Sequence, residues 1–204
     1  MRQAPLDLRT RREASFANVV EGEGNRAALS YLRGHMSWPS PVAIVFGPEG
    51  SGKTLLGEAW AGESGGVFLD DAEGVPEPEV FDAINAALAG RGAGRGQLLL
   101  ASRKPPADWS TRTPDLRHRL LNTPTFALDE PGEDILRPVT RQLFADHGRE
   151  VGEDLLDYML LRCPRGVREL RALVADIEDE AQSELADVSK AWVSRYLSRQ
   201  PELF

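Results

Sequence analysis

The segment 47–54 combines the residue types that a phosphate-binding loop needs. Its residues are Gly47, Pro48, Glu49, Gly50, Ser51, Gly52, Lys53 and Thr54. An apolar run, 42–46, precedes it and a stretch typical of a helix follows it. Backbone N–H groups at a helix N-terminus lack helical partners and face a positive dipole end, so they favour an anion. The glycines allow phosphate oxygens to approach the backbone closely. This pattern predicts a binding site for a nucleoside triphosphate.

Two residues of this loop and two carboxylates further along the chain have the chemistry for a metal-assisted site. We expect Lys53 to reach the β and γ phosphates and the Thr54 hydroxyl to hold Mg²⁺. Asp70 and Asp71 end an apolar segment, 67–71, that we interpret as a buried strand. Asp70 is then expected to hold Mg²⁺ beside Thr54, and Asp71 to orient or activate the attacking water.

Apolar patterning predicts alternating strands and helices up to about residue 130. The predicted strands are 42–46, 67–71, 97–102 and 125–128, and the predicted helices are 25–33, 54–63 and 79–88. Strands that alternate with helices imply a parallel sheet covered on both faces. Ser102 closes the third strand, where a polar side chain could sense the γ-phosphate. The predicted fold class is therefore α/β, a P-loop NTPase with a parallel sheet.

The composition changes after residue 130, where only helices are predicted. These helices are 133–146, 153–162, 167–185 and 188–198. Apolar residues recur at spacings of three and four in the third of them, which places one face in a core. We expect a nucleotide-binding α/β domain at 15–130 and a small all-helical lid domain at 131–199. The segments 1–14 and 200–204 are expected to be a flexible arm and a tail.

Composition and charge narrow the class of protein. The net charge of −8 over 204 residues argues against a protein whose affinity comes from neutralising DNA phosphates, so we expect no sequence-specific DNA binding. The single cysteine, Cys163, excludes an internal disulfide. No apolar stretch has the length of a membrane span and the N-terminus lacks the apolar centre of a signal peptide. We expect a cytoplasmic protein without a membrane partner.

Several motifs occur in one order along residues 15–199. They are Phe16-x-Asn18-Val19-Val20-x-Gly22-x-x-Asn25-Arg26, the phosphate loop, Asp70-Asp71, Pro105-Pro106, Leu116-x-x-Arg119-Leu120 and Val167-Arg168-Glu169-Leu170. Together they resemble the AAA+ ATPase module of the bacterial replication initiator DnaA. The chain ends without the DNA-binding domain of DnaA, so it is more similar to the Hda family. Without this resemblance, Arg119 and Arg168 would be interpreted as solvated surface arginines.

The resemblance to Hda implies a function and a set of partners. Members of that family bind ADP or ATP with Mg²⁺, attach to the sliding clamp of the DNA polymerase and stimulate ATP hydrolysis by DnaA. By this likeness Arg119 matches the arginine finger and Arg168 the sensor 2 arginine. A finger acting in trans would complete the catalytic site of DnaA. A homo-oligomer of the chain is also compatible with this resemblance.

Both ends of the chain contain a peptide similar to clamp-binding motifs. At the N-terminus Gln3, Leu6 and Leu8 match the glutamine and spaced leucines of the Hda motif. At the C-terminus Gln200, Leu203 and Phe204 form a second candidate. An extended peptide that binds through anchoring side chains is well carried on a flexible arm. Two such peptides could add avidity on one ring.

One departure from the resemblance concerns the sheet. The span between Thr54 and Val67 is too short for the further strand and helix that DnaA-like modules place there. In the AAA+ strand order 5-1-4-3-2 the missing strand 2 lies at an edge, so we expect the fold to survive with strand 3 as the new edge.

Three other functions remain open. They are a helicase-loader ATPase, a phosphate-loop kinase of small molecules and a nucleotide-gated clamp adaptor without a catalytic role.

Overall fold

The computed structural model describes residues 15–90, 96–162 and 166–199. The strands are β1 (Val42–Phe46), β2 (Val67–Leu69), β3 (Leu98–Ser102) and β4 (Thr125–Ala127). The α-helices are α1 (Arg26–Arg33), α2 (Lys53–Ser64), α3 (Glu77–Leu88), α4 (Pro114–Leu121), α5 (Glu133–Asp146), α6 (Glu153–Arg162), α7 (Val167–Glu184) and α8 (Lys190–Ser198). Short 3₁₀ helices cover Phe16–Asn18, His35–Ser37, Ala72–Gly74 and Pro106–Asp108.

The strands form one parallel sheet, which confirms the predicted α/β class. Within the described residues the sheet has four strands in the order β2-β3-β1-β4. In register, β1 pairs with β3 from Val42 opposite Leu98 to Phe46 opposite Ser102. Parallel strands end at the same edge of the sheet, so the loops after β1, β2 and β3 meet there. This edge therefore receives the phosphate loop and Asp70.

The sheet has the order expected for an AAA+ module that has lost strand 2. Counted in AAA+ terms, the observed order is strand 3, strand 4, strand 1 and strand 5, and β2 is the edge that the loss exposes. The expectation that this strand is buried was wrong. Val67 is 42% exposed, and Phe68 and Leu69 are half-buried. An apolar run shows that a strand packs against something, but not whether both of its edges are covered.

Successive side chains of a strand point to opposite faces of the sheet, and a layer of helices packs on each face. On one face, Ala43 and Val45 of β1 belong to a cluster with α1 and α2. On the other face, Val42 and Ile44 belong to a cluster with α3 and α4. All four side chains are at most 2% exposed. Both faces of the central strand are thus covered, as the sequence predicts for a parallel sheet.

The helices that follow β4 bury a hydrophobic cluster of their own. It is centred on Phe144, Met159 and Ile177, which are fully buried, and it includes Trp192 and Tyr196 of α8. The ring centroids of these last two side chains are 5.5 Å apart and stacked. The bounds of α5 and α6 coincide with the predicted helices because their apolar periodicity is strong. Within the described residues, no helix has the length and apolar character needed to span a membrane.

Candidate functional site

The phosphate loop connects the carboxyl end of β1 to the first turn of α2. Gly52 precedes this helix with φ +91°, and Gly50 has φ +80°, a region that side chains with a Cβ rarely adopt. At Gly47 a Cβ would lie 2.1 Å from the Leu128 carbonyl oxygen. No side chain caps α2, so its first N–H groups face outward without a partner in the helix. The loop therefore has the backbone shape and the donors of an anion site.

Lys53 lies within this loop and is only 7% exposed. Its Nζ donates to the carbonyl oxygens of Gly47, at 2.8 Å, and Pro48, at 2.7 Å. Burial lowers the pKa of Lys53, while the nearby carboxylates of Asp70 and Asp71 raise it. A buried ammonium beside free backbone donors gives the loop a fixed positive charge for phosphate oxygens.

Thr54 and Asp70 are in direct contact. The Thr54 hydroxyl donates to Asp70 Oδ2 at 2.7 Å, although 16 positions separate the two residues. Both side chains offer hard oxygen ligands, which Mg²⁺ prefers. The described residues contain no group of three or more His, Cys, Asp or Glu that could hold a metal ion. A magnesium ion here would take its other ligands from nucleotide phosphates and water, as is usual for this ion.

Asp71 lies beside Asp70 but has different contacts. Its backbone is in the left-handed region, with φ 45°, and its N–H donates to Asp70 Oδ1 at 3.0 Å. Its Oδ1 lies 3.6 Å from Nε of Arg103, and the same arginine's Nη1 lies 3.8 Å from Glu49 Oε2 of the loop. Our sequence reasoning missed Arg103. Its signal was its position directly after Ser102, at the carboxyl end of β3.

The start of α7 lies against the phosphate loop. A Cβ placed on Gly50 would be 3.4 Å from the Cα of Gly166, the residue that precedes the helix. Arg168, in the first turn of α7, is exposed. A second contact joins α5 to the segment before α1, because Glu23 N–H donates to Asp134 Oδ2 at 2.7 Å. The approach of Gly166 to Gly50 places Arg168 on a helix that begins beside the loop.

The side chain of Arg119 contacts residues of α3 and α4. Its Nε donates to Asp115 Oδ2 at 3.0 Å and its Nη1 to Asn85 Oδ1 at 2.8 Å. The guanidinium carbon lies 4.9 Å from the centre of the Phe81 ring. The structure thus brings together Lys53 and Thr54 with Asp70, whereas the side-chain partners of Arg119 belong to α3 and α4.

The candidate clamp-binding residues lie outside the described part of the chain, and Ser102 has contacts unlike those expected. The candidate clamp-binding residues Gln3, Leu6, Leu8, Gln200, Leu203 and Phe204 are outside the described residues. Ser102 is fully buried, and its hydroxyl donates to the Lys104 carbonyl oxygen at 2.8 Å. Its own carbonyl oxygen accepts from Gly47 N–H at 3.1 Å, so β3 supports the start of the loop.

Comparison with solved structures agrees with this geometry. Domain III of the Thermotoga maritima replication initiation protein DnaA superposes with a TM-score of 0.74 at 16% identity, covering 89% of this chain and 94% of that one. The chain has a DnaA-like AAA+ fold. AMPPCP-bound DnaA from Aquifex aeolicus gives a TM-score of 0.67 at 19% identity over 80% of this chain. A Thermotoga maritima RuvB mutant gives 0.69 at 16% identity, covering 91% of this chain and 72% of that one.

The extent of these matches defines what they establish. No protein-family model and no curated protein matches the sequence. The chain spans 64% of the Aquifex aeolicus DnaA chain, less than two thirds of it. At identities below 20% the likeness establishes the fold, and function has to be argued from the site.

Proposed function

We propose that this protein is an Hda-like negative regulator of replication initiation. It binds ADP or ATP with Mg²⁺ at the phosphate loop, is tethered to the sliding clamp and stimulates hydrolysis of ATP bound to DnaA. The observation that carries this proposal is the contact of Thr54 with Asp70 beside the buried Lys53, in a fold shared with DnaA. The proposed organisation is a nucleotide-binding domain at 15–130 and a helical lid at 131–199.

Nucleotide binding is the first part of the proposal. The loop offers unpartnered helical N–H groups and a buried ammonium for the phosphates, and Thr54 and Asp70 offer oxygens for Mg²⁺. Arg168 would add a cation from the lid side, because α7 begins against the loop. The DnaA structure of Aquifex aeolicus, whose fold is similar to that of this chain, is bound to AMPPCP.

Calorimetric titration with Mg·ADP and Mg·AMPPCP tests this part. We expect Lys53→Ala to weaken both affinities by at least about tenfold, because a charged hydrogen bond contributes roughly 1.5–3 kcal/mol. Lys190→Ala is the matched control, since Lys190 is an exposed lysine at the start of α8. A wild-type chain that binds neither nucleotide would contradict the proposal.

Arg119 is the group that we propose acts on DnaA. Its side chain pairs with residues of α3 and α4 rather than with residues of the phosphate loop, which suits a residue that completes the site of another subunit. The contacts with Asp115, Asn85 and Phe81 hold the guanidinium in a defined position before any partner binds. Such preorganisation lowers the entropy lost on binding. Asp71 is proposed to orient water for hydrolysis by the chain itself.

Tethering to the clamp is the third part and rests on the two end peptides. Gln3→Ala and Gln200→Ala, made separately, are expected to reduce retention of the chain on immobilised clamp according to which peptide anchors it. If each peptide binds, the double variant loses more than either single variant, because avidity is lost. Retention of the double variant at the wild-type level would contradict clamp tethering by these residues.

Reconstituted turnover separates the proposal from its rivals. We expect the nucleotide-bound chain to raise the rate of phosphate release from DnaA·ATP more strongly when clamp loaded on DNA is present. A clamp adaptor without a catalytic role would bind the clamp and leave this rate unchanged. A helicase loader would bind a replicative helicase and would not need Gln3.

A further inference from the structure

A pocket of about 140 Å³ lies between the end of α7 and one face of α8. We call it the α7–α8 pocket, and its lining residues are Glu184, Trp192, Arg195, Tyr196 and Arg199. α7 has 18 residues, which gives it a length of about 27 Å. It begins beside the phosphate loop and ends at Glu184, so the pocket is separate from the proposed nucleotide site.

The base of this pocket is aromatic. The rings of Trp192 and Tyr196 are stacked with their centroids 5.5 Å apart, and each residue is only 6% exposed. Trp192 Nε1 donates to Glu184 Oε2 at 2.9 Å, which satisfies the one polar group of the indole. The accessible edges of the two rings therefore offer apolar contact to an occupant of the pocket.

The rim of the pocket is positively charged. Arg195 is exposed, and no ion pair joins it to another described residue. Arg199 Nη1 lies 3.6 Å from Glu184 Oε1, which is longer than a direct hydrogen bond. The other oxygen of this carboxylate already accepts from Trp192. A partner suited to the pocket therefore has bulky apolar side chains beside a carboxylate that a guanidinium can bind.

Residues 200–204 of the chain have this chemistry. Their sequence is Gln-Pro-Glu-Leu-Phe, which places a carboxylate, that of Glu202, directly before two large apolar side chains. They follow Arg199, and the helix face from Arg199 back to Trp192 is about 10 Å long. Five extended residues span roughly 16 Å, so the peptide can reach the whole pocket. A short tether also gives the peptide an effective concentration in the millimolar range.

We propose that the α7–α8 pocket is the docking site of residues 200–204 of the same chain. The two apolar side chains of this segment cover the aromatic rings, and the Glu202 carboxylate pairs with Arg195. The same segment is the second candidate clamp-binding peptide, so it cannot occupy the pocket and the clamp at once. The docking does not depend on the proposed function, whereas the competition with the clamp rests on it.

The indole N–H signal of Trp192, in proton–nitrogen correlation spectra of the full chain, tests the docking. We expect this signal to shift when Leu203 and Phe204 are both replaced by alanine, because the indole loses its apolar contact. A synthetic peptide with the sequence of residues 200–204, added to that variant, should return the signal to its wild-type position in a saturable way. Leu88→Ala, a change of an exposed leucine in α3, is the control and should leave the signal in place.

Charge reversal tests the ion pair. Arg195→Glu and Glu202→Arg should each shift the Trp192 signal in the same direction, because like charges then repel at the rim. The double variant, Arg195→Glu with Glu202→Arg, should recover the wild-type position, which a merely local effect of either change would not do. Glu58→Arg is the matched control, since Glu58 is an exposed carboxylate on α2.

The other indole signals show whether each variant is folded. They belong to Trp38, Trp60 and Trp109, none of which lines the pocket, and their positions should not change. A Trp192 signal that stays in place in the double alanine variant would overturn the docking. A wild-type signal whose position depends on protein concentration would assign the peptide to a second copy of the chain and would also overturn it.

Retention on immobilised clamp tests the competition separately. In a Gln3→Ala background, where the other candidate peptide is weakened, Arg195→Glu should raise retention because it releases the segment from the pocket. Unchanged retention would overturn the competition. If neither wild type nor variants bind the clamp, clamp tethering in the proposed function is wrong, while the docking is still decided by the Trp192 signal.

Discussion

At the scale of single residues, the site depends on a few polar groups that the fold places in contact. The Thr54 hydroxyl has one described partner, Asp70, and the Lys53 ammonium is held by carbonyl oxygens of the loop. In the proposed nucleotide complex each of these groups would exchange its present partner for Mg²⁺ or for phosphate oxygens.

Substitution of Thr54 tests the magnesium ligand. We expect Thr54→Ala to remove most of the gain in ADP affinity that Mg²⁺ provides, because a hydroxyl ligand is lost. Thr54→Ser keeps the hydroxyl and should behave like the wild type. The measurement is ADP affinity with Mg²⁺ and with a chelator, expressed as a ratio for each variant. The same ratio in Thr54→Ala and in the wild type would exclude Thr54 as a ligand.

The sequence alone predicted the phosphate-loop residues and Asp70, but it did not predict the neighbouring Arg103. The spacing of glycines before Lys53 and Thr54 has a known mechanism, so residue types alone indicated the loop. The contact between Asp70 and Thr54 followed from strands that end at one edge of the sheet. Arg103 was missed because its partners come from the loop and from the segment after β2, and only the folded chain brings them together.

At the scale of elements, the new edge strand is held by α2. Gly57 of this helix faces the ring of Phe68 in β2, and a Cβ there would lie 2.1 Å from Phe68 Cε2. The absent side chain lets the short strand lie close to the helix. Among the described residues this strand has one neighbour in the sheet, β3, so the packing against α2 adds to its support.

Substitution of Gly57 tests that packing. Alanine raises helix propensity by about 1 kcal/mol, whereas overpacking costs typically 1–3 kcal/mol. We expect Gly57→Ala to lower the free energy of unfolding by about 1 kcal/mol in urea titrations. Gly74→Ala is the control, because a Cβ there meets nothing within 4 Å. If Gly57→Ala were as stable as this control, the close contact would not support β2.

Glu77 links the start of α3 to the residues that precede α4. Its carboxylate accepts from Arg112 N–H at 2.6 Å, and from the N–H and the hydroxyl of Thr113 at 3.1 and 2.7 Å. The hydrogen bond from Arg112 N–H, followed by that from the Thr113 hydroxyl, lowers the pKa of Glu77 below its ordinary value of 4.5. This link positions α4, which carries Arg119.

The lowered pKa gives a pH-dependent prediction. A carboxylate with a depressed pKa stabilises the folded state above its unfolded pKa, and the stabilisation is lost as pH falls through the folded pKa. We expect Glu77→Gln to have a lower Tm than the wild type at neutral pH. The difference should shrink at pH values below 4.5. A difference that stays constant with pH would show that the charge of Glu77 is not the stabilising feature.

The bounds of most helices and strands could be predicted from the sequence, but the solvent exposure of β2 could not. Apolar periodicity gave α5 and α6 without error and α3 within two residues at its start. The run Val67–Leu69 was read as buried, yet its first residue is 42% exposed. The loss of a neighbouring strand changes solvent exposure without changing the local pattern, so sequence periodicity could not reveal it.

At the scale of the whole molecule, two surfaces divide the proposed work. The proposed nucleotide side consists of the phosphate loop and the start of α7, and Arg119 is held by α3 and α4. Both surfaces are built on one sheet, since α2 packs on one face of it and α3 and α4 pack on the other.

The most direct test of the account is the rate of phosphate release from DnaA·ATP, measured with nucleotide-bound chain and clamp loaded on DNA. Wild type and Arg117→Ala, a change of an exposed arginine in the same helix, should both stimulate release. Arg119→Ala should bind ADP normally and lose at least about tenfold of the stimulation, because arginine fingers contribute roughly 10³ to 10⁵ in rate in GTPases. Full stimulation of DnaA by Arg119→Ala would contradict the account.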